Sequence, residues 1–230
     1  MIDMHTHILP KIDDGSKSAE QTAMMLDMMH QQGVGTIVAT PHFDMRRESV
    51  DDFLKRRQKS VELLVDSGVD TSCIRLGAEV LYCGVGLNHL DNIERLCIEG
   101  TRCILIEPIN SKWGVAFKTD MLRLVDELNI YPIIAHIERY ATRSNIKLLC
   151  DLEEDGVFAQ SNAEFFISRR TRGRAFRMLK KNIIQFLGSD CHNMSLREPN
   201  LGMATDLISS KFGESYVSYI MNRSREIFED

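Results

Sequence analysis

At 230 residues the chain fits one large domain, and its 43% hydrophobic content allows a substantial buried core. A net charge of −5 gives no reason to expect nucleic acid or an anionic membrane surface as a partner. The first segment carries His and Asp where a secretory signal needs an apolar stretch, no apolar run approaches the ~20 residues of a spanning helix, and the six cysteines form no C-x-x-C pair; the expectation is a cytoplasmic protein with reduced thiols and no membrane insertion.

Taken in chain order, short apolar runs alternate with segments of helical periodicity. MIDMHT (1–6) predicts a strand, on which His5 and His7, two residues apart, share a face. Ser16 or Ser18 then caps a helix over AEQTAMMLDMMHQQG, closed by Gly33. Its stretch TAMMLDMMH offers a surface for a homo-oligomer, although methionine runs more often pack in cores. Further strands are expected at GTIVAT (35–40), CIRLGAEV (73–80), RCILIEP (102–108), IYPIIAHI (130–137), GVFAQSN (156–162) and NIIQFLGSD (182–190). Between them SVDDFLKRRQKSVELLVDSG, WGVAFKTDMLRLVDELN, NIKLLCDLEEDG and AEFFISRRTRGRAFRMLKK read as helices, and helical runs fill the last thirty residues or so. The basic run 167–181 is a solvated helix face or a docking patch for an acidic or phosphorylated partner. No Pro/Gly/Ser-rich linker interrupts the chain, so residues 1–230 read as a single domain. Strand–helix alternation with apolar strands predicts an α/β fold with a parallel sheet under helices, and seven repeats favour a closed barrel.

Each expected strand ends in residues able to bind a metal or a phosphate: His5 and His7, His42, Glu79, Glu107, His136, Asn162, then Asp190 and His192. Successive groups lie 26 to 37 residues apart, about one strand–helix unit, which gathers them on one rim of a parallel barrel. Glu79, Glu107 and His136 interrupt apolar stretches, where an unpaired carboxylate is expensive to bury. Imidazoles with carboxylates and no patterned thiolate suit Mn²⁺, Fe²⁺ or Zn²⁺, and so many ligands suggest two or three ions close together. Such clusters activate water and neutralise charge on a phosphoryl group. Asp14 belongs to the set because Gly15 permits a turn that folds its carboxylate toward the rim, while Asp13 reads as the turn-capping neighbour. Arg139 and Arg197 suit bidentate recognition of phosphate oxygens; Lys11, Arg46 and Arg47 are weaker candidates on the same loops. A rival signal, the C-x5-R string CHNMSLR with Cys191 as nucleophile, lacks the glycines that an anion-wrapping loop needs.

The motifs H-x-H-I-L-P-x-x-D-D-G, T-I-V-A-T-P-H, G-A-E, I-L-I-E, P-I-I-A-H-I-E-R and S-D-x-H-N…R, in this order over residues 1 to about 200, resemble the PHP (polymerase and histidinol phosphatase) superfamily. More narrowly, the chain is similar to the manganese-dependent protein-tyrosine phosphatases of bacterial capsule and exopolysaccharide operons. The resemblance implies a distorted TIM-like (β/α)7 barrel, the PHP fold, with a trinuclear site. By motif, His5, His7, Glu79 and Asp190 would hold one ion; Glu79, Glu107 and His136 a second; Asp14, His42 and His192 a third, with Arg139 and Arg197 gripping the phosphate. It implies Mn²⁺ as cofactor, with Fe, Zn, Mg or Co as substitutes, and as substrate a phosphotyrosine-containing protein, a membrane-associated bacterial tyrosine kinase. The chain departs from the pattern at Pro108-Ile109, where an aromatic is more usual, and at Glu198 after Arg197. Two alternatives accompany this reading: a small-molecule phosphomonoesterase of the histidinol-phosphate kind on the same metals, and a non-catalytic adaptor that kept the fold.

Overall fold

Strands form at all seven expected places, and in two of them the strand bends partway. The computed structural model describes residues 1–84, 86, 87 and 91–229. Its strands are β1 (Ile2–Thr6), β2 (Thr36–Ala39), β3 (His42–Phe43), β4 (Ile74–Leu76), β5 (Glu79–Tyr82), β6 (Cys103–Pro108), β7 (Tyr131–Ile134), β8 (Phe158–Asn162) and β9 (Phe186–Gly188). The expected strand 73–80 is divided into β4 and β5, and the strand 35–40 resumes beyond Pro41 as β3. Pro41 has no N–H to give to a ladder, so the strand kinks there. Pairing nonetheless continues across both bends, through Gly77 N–H to Ala39 O at 2.8 Å and Glu79 N–H to Pro41 O at 3.0 Å.

All pairings are parallel, in the orders β1-β2-β4 and β3-β5-β6-β7-β8-β9. With β2/β3 and β4/β5 counted as bent staves, seven staves form a ring. It is closed by a bridge between Thr6 and Cys191 and by the amide of Asp190 donating to His5 O at 2.8 Å. At the split between β4 and β6 the segment Ile98-Glu99 is wedged in, its amides bonded to Cys103 O and Leu76 O. This is the closed barrel that seven strand–helix repeats favour, with the distortion that the resemblance implies.

Helices cover the strands: α1 (Ala19–Gln31), α2 (Val50–Asp66), α3 (Val115–Leu128), α4 (Arg143–Glu153), α5 (Glu164–Ile167), α6 (Arg172–Lys180), α7 (Leu201–Phe212) and α8 (Glu214–Glu226). Ser18, not Ser16, caps α1 by accepting the Gln21 N–H. The single helix expected over 163–181 is two, because Arg172 folds back and its Nε donates to Phe166 O, satisfying carbonyls at the end of α5. Arg174, itself exposed, likewise reaches Ala141 O, so two arginines of the basic run also tie the fold together. In the methionine run Met25 and Met29 are buried and Met24 is exposed. Two apolar clusters result. The larger joins helices to the strands; the smaller, including Met4, Val38, Leu105, Ile133, Ala135 and Phe186, comes almost wholly from strands and fills the space they enclose. Polar residues then collect where the strands end. Among the described residues no helix is long and apolar enough to cross a membrane.

Candidate metal centre

The carboxyl ends of the staves bring nine sequence-predicted ligands together around Glu79. Its side chain, 1% exposed, is approached at Oε1 by His136 Nε2 at 2.9 Å. Its Oε2 is approached by His42 Nδ1 at 2.9 Å, His7 Nε2 at 3.3 Å and His5 Nε2 at 3.4 Å. Asp190 Oδ1 lies 3.5 Å from His5 Nε2 and 3.4 Å from His7 Nε2, and Glu107 Oε1 lies 3.3 Å from His136 Nε2. Asp14 Oδ1 is 3.4 Å from both His42 Nε2 and His192 Nε2.

Local backbone explains how each group arrives. His5 and His7 converge as their spacing predicts, with Nε2 atoms 3.1 Å apart, and the His7 amide is tied to Cys191 O. Gly15 serves a closer purpose than turn flexibility: a Cβ there would sit 2.1 Å from His7 O, so only glycine lets the Asp13-Asp14 loop press against the end of β1. His136 and Asp190 are not strand residues, contrary to the expected spans 130–137 and 182–190. Strands β7 and β9 stop at Ile134 and Gly188, and both residues adopt left-handed conformations, with φ of 32° and 54°. Such conformations cost a non-glycine residue of order 1 kcal/mol or more and are held where surrounding contacts enforce them. Asp190 and His192, 3.7 Å apart at Oδ1 and Nδ1, therefore come together through the left-handed backbone at Asp190 and not through strand alternation.

Three groups of ligand atoms are close enough to share a cation: His7, Asp14, His42 and His192; His5, His7 and Asp190; His42, Glu79 and Glu107. Relative to the sets implied by the resemblance, His7 also joins the Asp14 group, and His42 also faces Glu79. The donor chemistry fits metal. Glu79 Oε2 is buried among imidazole nitrogens yet has no hydrogen-bond partner, and two imidazole Nε2 atoms face each other at hydrogen-bond distance beside it. Buried orphan acceptors are rare in proteins, and one ringed by imidazole nitrogens suits a bound cation.

Burial alone would push the His7 imidazole down, but the hydrogen bond to Asp13 and the negative charges of Asp13 and Glu79 outweigh it and hold the group up at about 10. His136 is likewise raised to about 9 against burial, through Glu107 and Glu79. Burial would raise Asp190, yet His5 and His7 beside it bring it down to about 2. His192 is lowered to about 4 by burial together with the positive charges of His7 and Arg197, leaving a neutral ring.

Both arginines stand at the open side. Arg139 contacts Glu107 Oε1 at 3.3 Å and Asp190 Oδ2 at 3.1 Å; Arg197 contacts Asp190 Oδ1 at 2.5 Å and donates to His192 Nε2 at 2.8 Å. Arg46 and Arg47 instead turn to Asp44, and Lys11 is exposed. Cys191 is fully buried and burial drives its thiol far up, which removes it as a nucleophile for the C-x5-R reading. One residue did more than sequence reasoning gave it. Asp13 Oδ1 caps the turn at the Gly15 amide, as expected, while Oδ2 accepts His7 Nδ1–H at 2.8 Å and the His42 amide at 3.1 Å. The signal for it was available, since a metal-binding imidazole commonly donates its other N–H to a carboxylate.

The family model for capsular polysaccharide synthesis proteins, CpsB/CapC, matches residues 1–228. The chain belongs to the CpsB/CapC family. Within that family it is 31% identical to the tyrosine-protein phosphatase CpsB of Streptococcus pneumoniae, over 100% of this chain and 96% of that one. It is 30% identical to the tyrosine-protein phosphatase YwqE of Bacillus subtilis, over 99% of this chain and 91% of the relative. Its fold matches a crystal structure from a study of YwqE and CpsB, described as unique metal-dependent tyrosine phosphatases, with a TM-score of 0.84 at 24% identity over 100% of this chain and 94% of that one. A phosphotriesterase homology protein of Escherichia coli shares the fold more distantly, with a TM-score of 0.55 at 10% identity over 99% of this chain and 97% of that one.

Proposed function

We propose that this CpsB/CapC chain is a metal-dependent protein-tyrosine phosphatase, acting in the cytoplasm with Mn²⁺ on a phosphotyrosine-containing protein, a membrane-associated tyrosine kinase of capsule or exopolysaccharide synthesis. Residues 1–230 would form its one catalytic domain. The observation that carries the reading is the convergence of His5, His7 and His42 nitrogens on Glu79 Oε2, an acceptor with no hydrogen bond of its own. His5, His7, Asp14, His42, Glu79, Glu107, His136, Asp190 and His192 would hold two or three ions. Bound divalent ions supply Lewis acidity toward phosphoryl oxygen and lower the pKa of water so that a nucleophile exists near neutral pH.

The chain's own groups do the rest. Arg139 and Arg197, each less than half exposed, sit beside the ligands at the open face and present guanidinium forks to phosphoryl oxygens. Their charge opposes that of the phosphate and stabilises what develops on its oxygens during transfer. The leaving phenol has an ordinary pKa of about 10, so expulsion asks little of a general acid. The open rim supports a protein substrate over a small metabolite: Asp14 is 66% and His42 43% exposed, and Ile109 and Leu196, beside Glu107 and Arg197, offer exposed apolar contact for an aromatic ring and its chain.

The test is chelation followed by Mn²⁺ reconstitution, with phosphotyrosyl peptide and histidinol phosphate as parallel substrates. Peptide hydrolysis lost on chelation, restored by Mn²⁺ and retained in Cys191→Ser supports the proposal. Faster turnover of histidinol phosphate would move it to the small-molecule class. Activity that survives chelation but vanishes in Cys191→Ser would overturn it.

A further inference from the structure

Two amide side chains on β8 connect the ligands from beneath. Gln160 Oε1 accepts the backbone N–H of His136 at 2.8 Å and lies 3.2 Å from His5 Nδ1. Gln160 Nε2 donates to Asn162 Oδ1 at 3.0 Å, and Asn162 Nδ2 donates to Asp190 Oδ2 at 2.7 Å. All four side chains are at least 92% buried.

The direction of this chain is determined. A backbone amide can only donate, so the Gln160 atom facing His136 N–H must be the carbonyl oxygen. That oxygen then requires a proton on His5 Nδ1, so in the neutral ring Nε2 is the bare nitrogen, facing His7, Glu79 and Asp190. At its other end the Gln160 amide can only donate, which orients Asn162 and delivers an N–H to Asp190 Oδ2. The carboxylate is thereby held with Oδ1 toward His5 and His7. Asn162 is itself anchored, because its backbone N–H donates to Glu138 Oε1 at 3.1 Å while Ser161 Oγ donates to Glu138 Oε2 at 3.0 Å. Gly188 makes room for the assembly: a Cβ there would lie 2.9 Å from Gln160 Nε2 and 2.6 Å from His5 Cβ.

We propose that Gln160 and Asn162 are positioning residues, a one-way amide relay that takes its polarity from the His136 backbone and fixes both the His5 tautomer and the Asp190 orientation for one shared cation. The relay rests on the metal-centre reading above, but its first readout does not require catalysis. Nitrogen-15 imidazole spectra of the metal-free protein in mildly alkaline buffer should show His5 protonated at Nδ1 in the wild type and a tautomer mixture in Gln160→Leu. By calorimetry, Gln160→Leu should bind Mn²⁺ about ten- to a hundredfold more weakly, the usual effect of losing a partner of a metal-binding imidazole. Gln160→Glu keeps the acceptor for His136 and His5 but loses the donor to Asn162. It should keep the Nδ1–H signature while weakening Mn²⁺ binding, and it carries the test alone if the leucine variant does not fold. An unchanged His5 signature with wild-type Mn²⁺ affinity in Gln160→Leu, or loss of the Nδ1–H signature in a folded Gln160→Glu, would overturn the relay. If the relay stands but the loaded wild type hydrolyses no aryl phosphate, the functional proposal fails by itself.

Discussion

Asp13→Asn isolates one oxygen. The aspartate accepts three hydrogens on two oxygens: Gly15 N–H at 2.8 Å on Oδ1, and His7 Nδ1–H at 2.8 Å with His42 N–H at 3.1 Å on Oδ2. Burial would raise this carboxyl, but the His7 hydrogen bond and charge, with the Gly15 and His42 amides, hold it at about 2, so it is ionised throughout the working range. Asparagine offers one oxygen. If that oxygen stays on Gly15, its NH₂ faces two donors, and the neutral ring that metal binding requires relieves the conflict by carrying its proton on Nε2 instead of Nδ1, inside the ligand cluster. A hydrogen bond to a charged group contributes ~1.5–3 kcal/mol, which is roughly a ten- to hundredfold loss of Mn²⁺ affinity at ~1.4 kcal/mol per decade. The loss expected for the orienting partner of a metal-bound imidazole is of the same size. Asp13→Ala should cost less in affinity than Asp13→Asn, because water can enter and accept the His7 proton without reversing the tautomer. Mn²⁺ titration calorimetry on the two variants reads this order directly. Wild-type affinity in Asp13→Asn, or weaker binding in the alanine variant than in the asparagine one, would refute the reasoning.

Arg139→Ala and Arg197→Ala should each lower turnover of a phosphotyrosyl peptide by about a hundredfold, the order seen when one charge-stabilising donor is removed, while bound metal measured by elemental analysis stays near the wild-type level. Gly15→Ala should release the Asp13-Asp14 loop, because its Cβ would overlap His7 O; a reduced melting midpoint and loss of Mn²⁺ binding are expected, and a wild-type melt would contradict the close approach. His7 and His136 are raised in the metal-free fold to about 10 and 9, above the ordinary value near 6.5, so their protonation stabilises the fold in full below about 6.5, and that contribution is lost progressively as pH rises from there through 9 to 10. Metal-free melts should therefore fall across this range, whereas apparent Mn²⁺ affinity should climb as the competing protons leave; a flat metal-free profile would sink the assignment.

The clustering of these side chains was legible in the sequence because most are polar intruders at the end of an apolar run, and parallel topology carries all strand ends to one rim. The same logic misplaced details. Strand periodicity extended IYPIIAHI and NIIQFLGSD through His136 and Asp190, where left-handed residues break the strand and aim the side chains. Asp and His are among the non-glycine residues that tolerate φ > 0, but neither demands it, and tertiary bonds such as His136 N–H to Gln160 decide the matter. Bending at Pro41 was readable from its missing N–H, but the matching break at Gly77 follows from its partner strand. The single helix expected at 163–181 failed for a similar reason: the periodicity persists across the gap, while Arg172 ends α5 from outside the ladder.

Gln160 and Asp13 mark the boundary of sequence reading more sharply than any element boundary does. Glutamine at 160 is an ordinary polar residue until His5, 155 positions earlier, is brought against it. Its function is to give direction to hydrogen bonds, and direction depends on which backbone N–H faces it, a property of the assembled barrel. Metal ligands announce themselves through the cost of burying them, whereas their supporting groups are satisfied on both sides and carry no such cost. A site built this way spends local regularity at His136 and Asp190 to bring side chains from six of the seven staves together, and sequence rules fail at those two positions for that reason. It follows that substitutions at the left-handed positions should act on metal binding before global stability: the strain there is sustained by contacts with the ligand cluster, while the apolar clusters beneath are continuous without them.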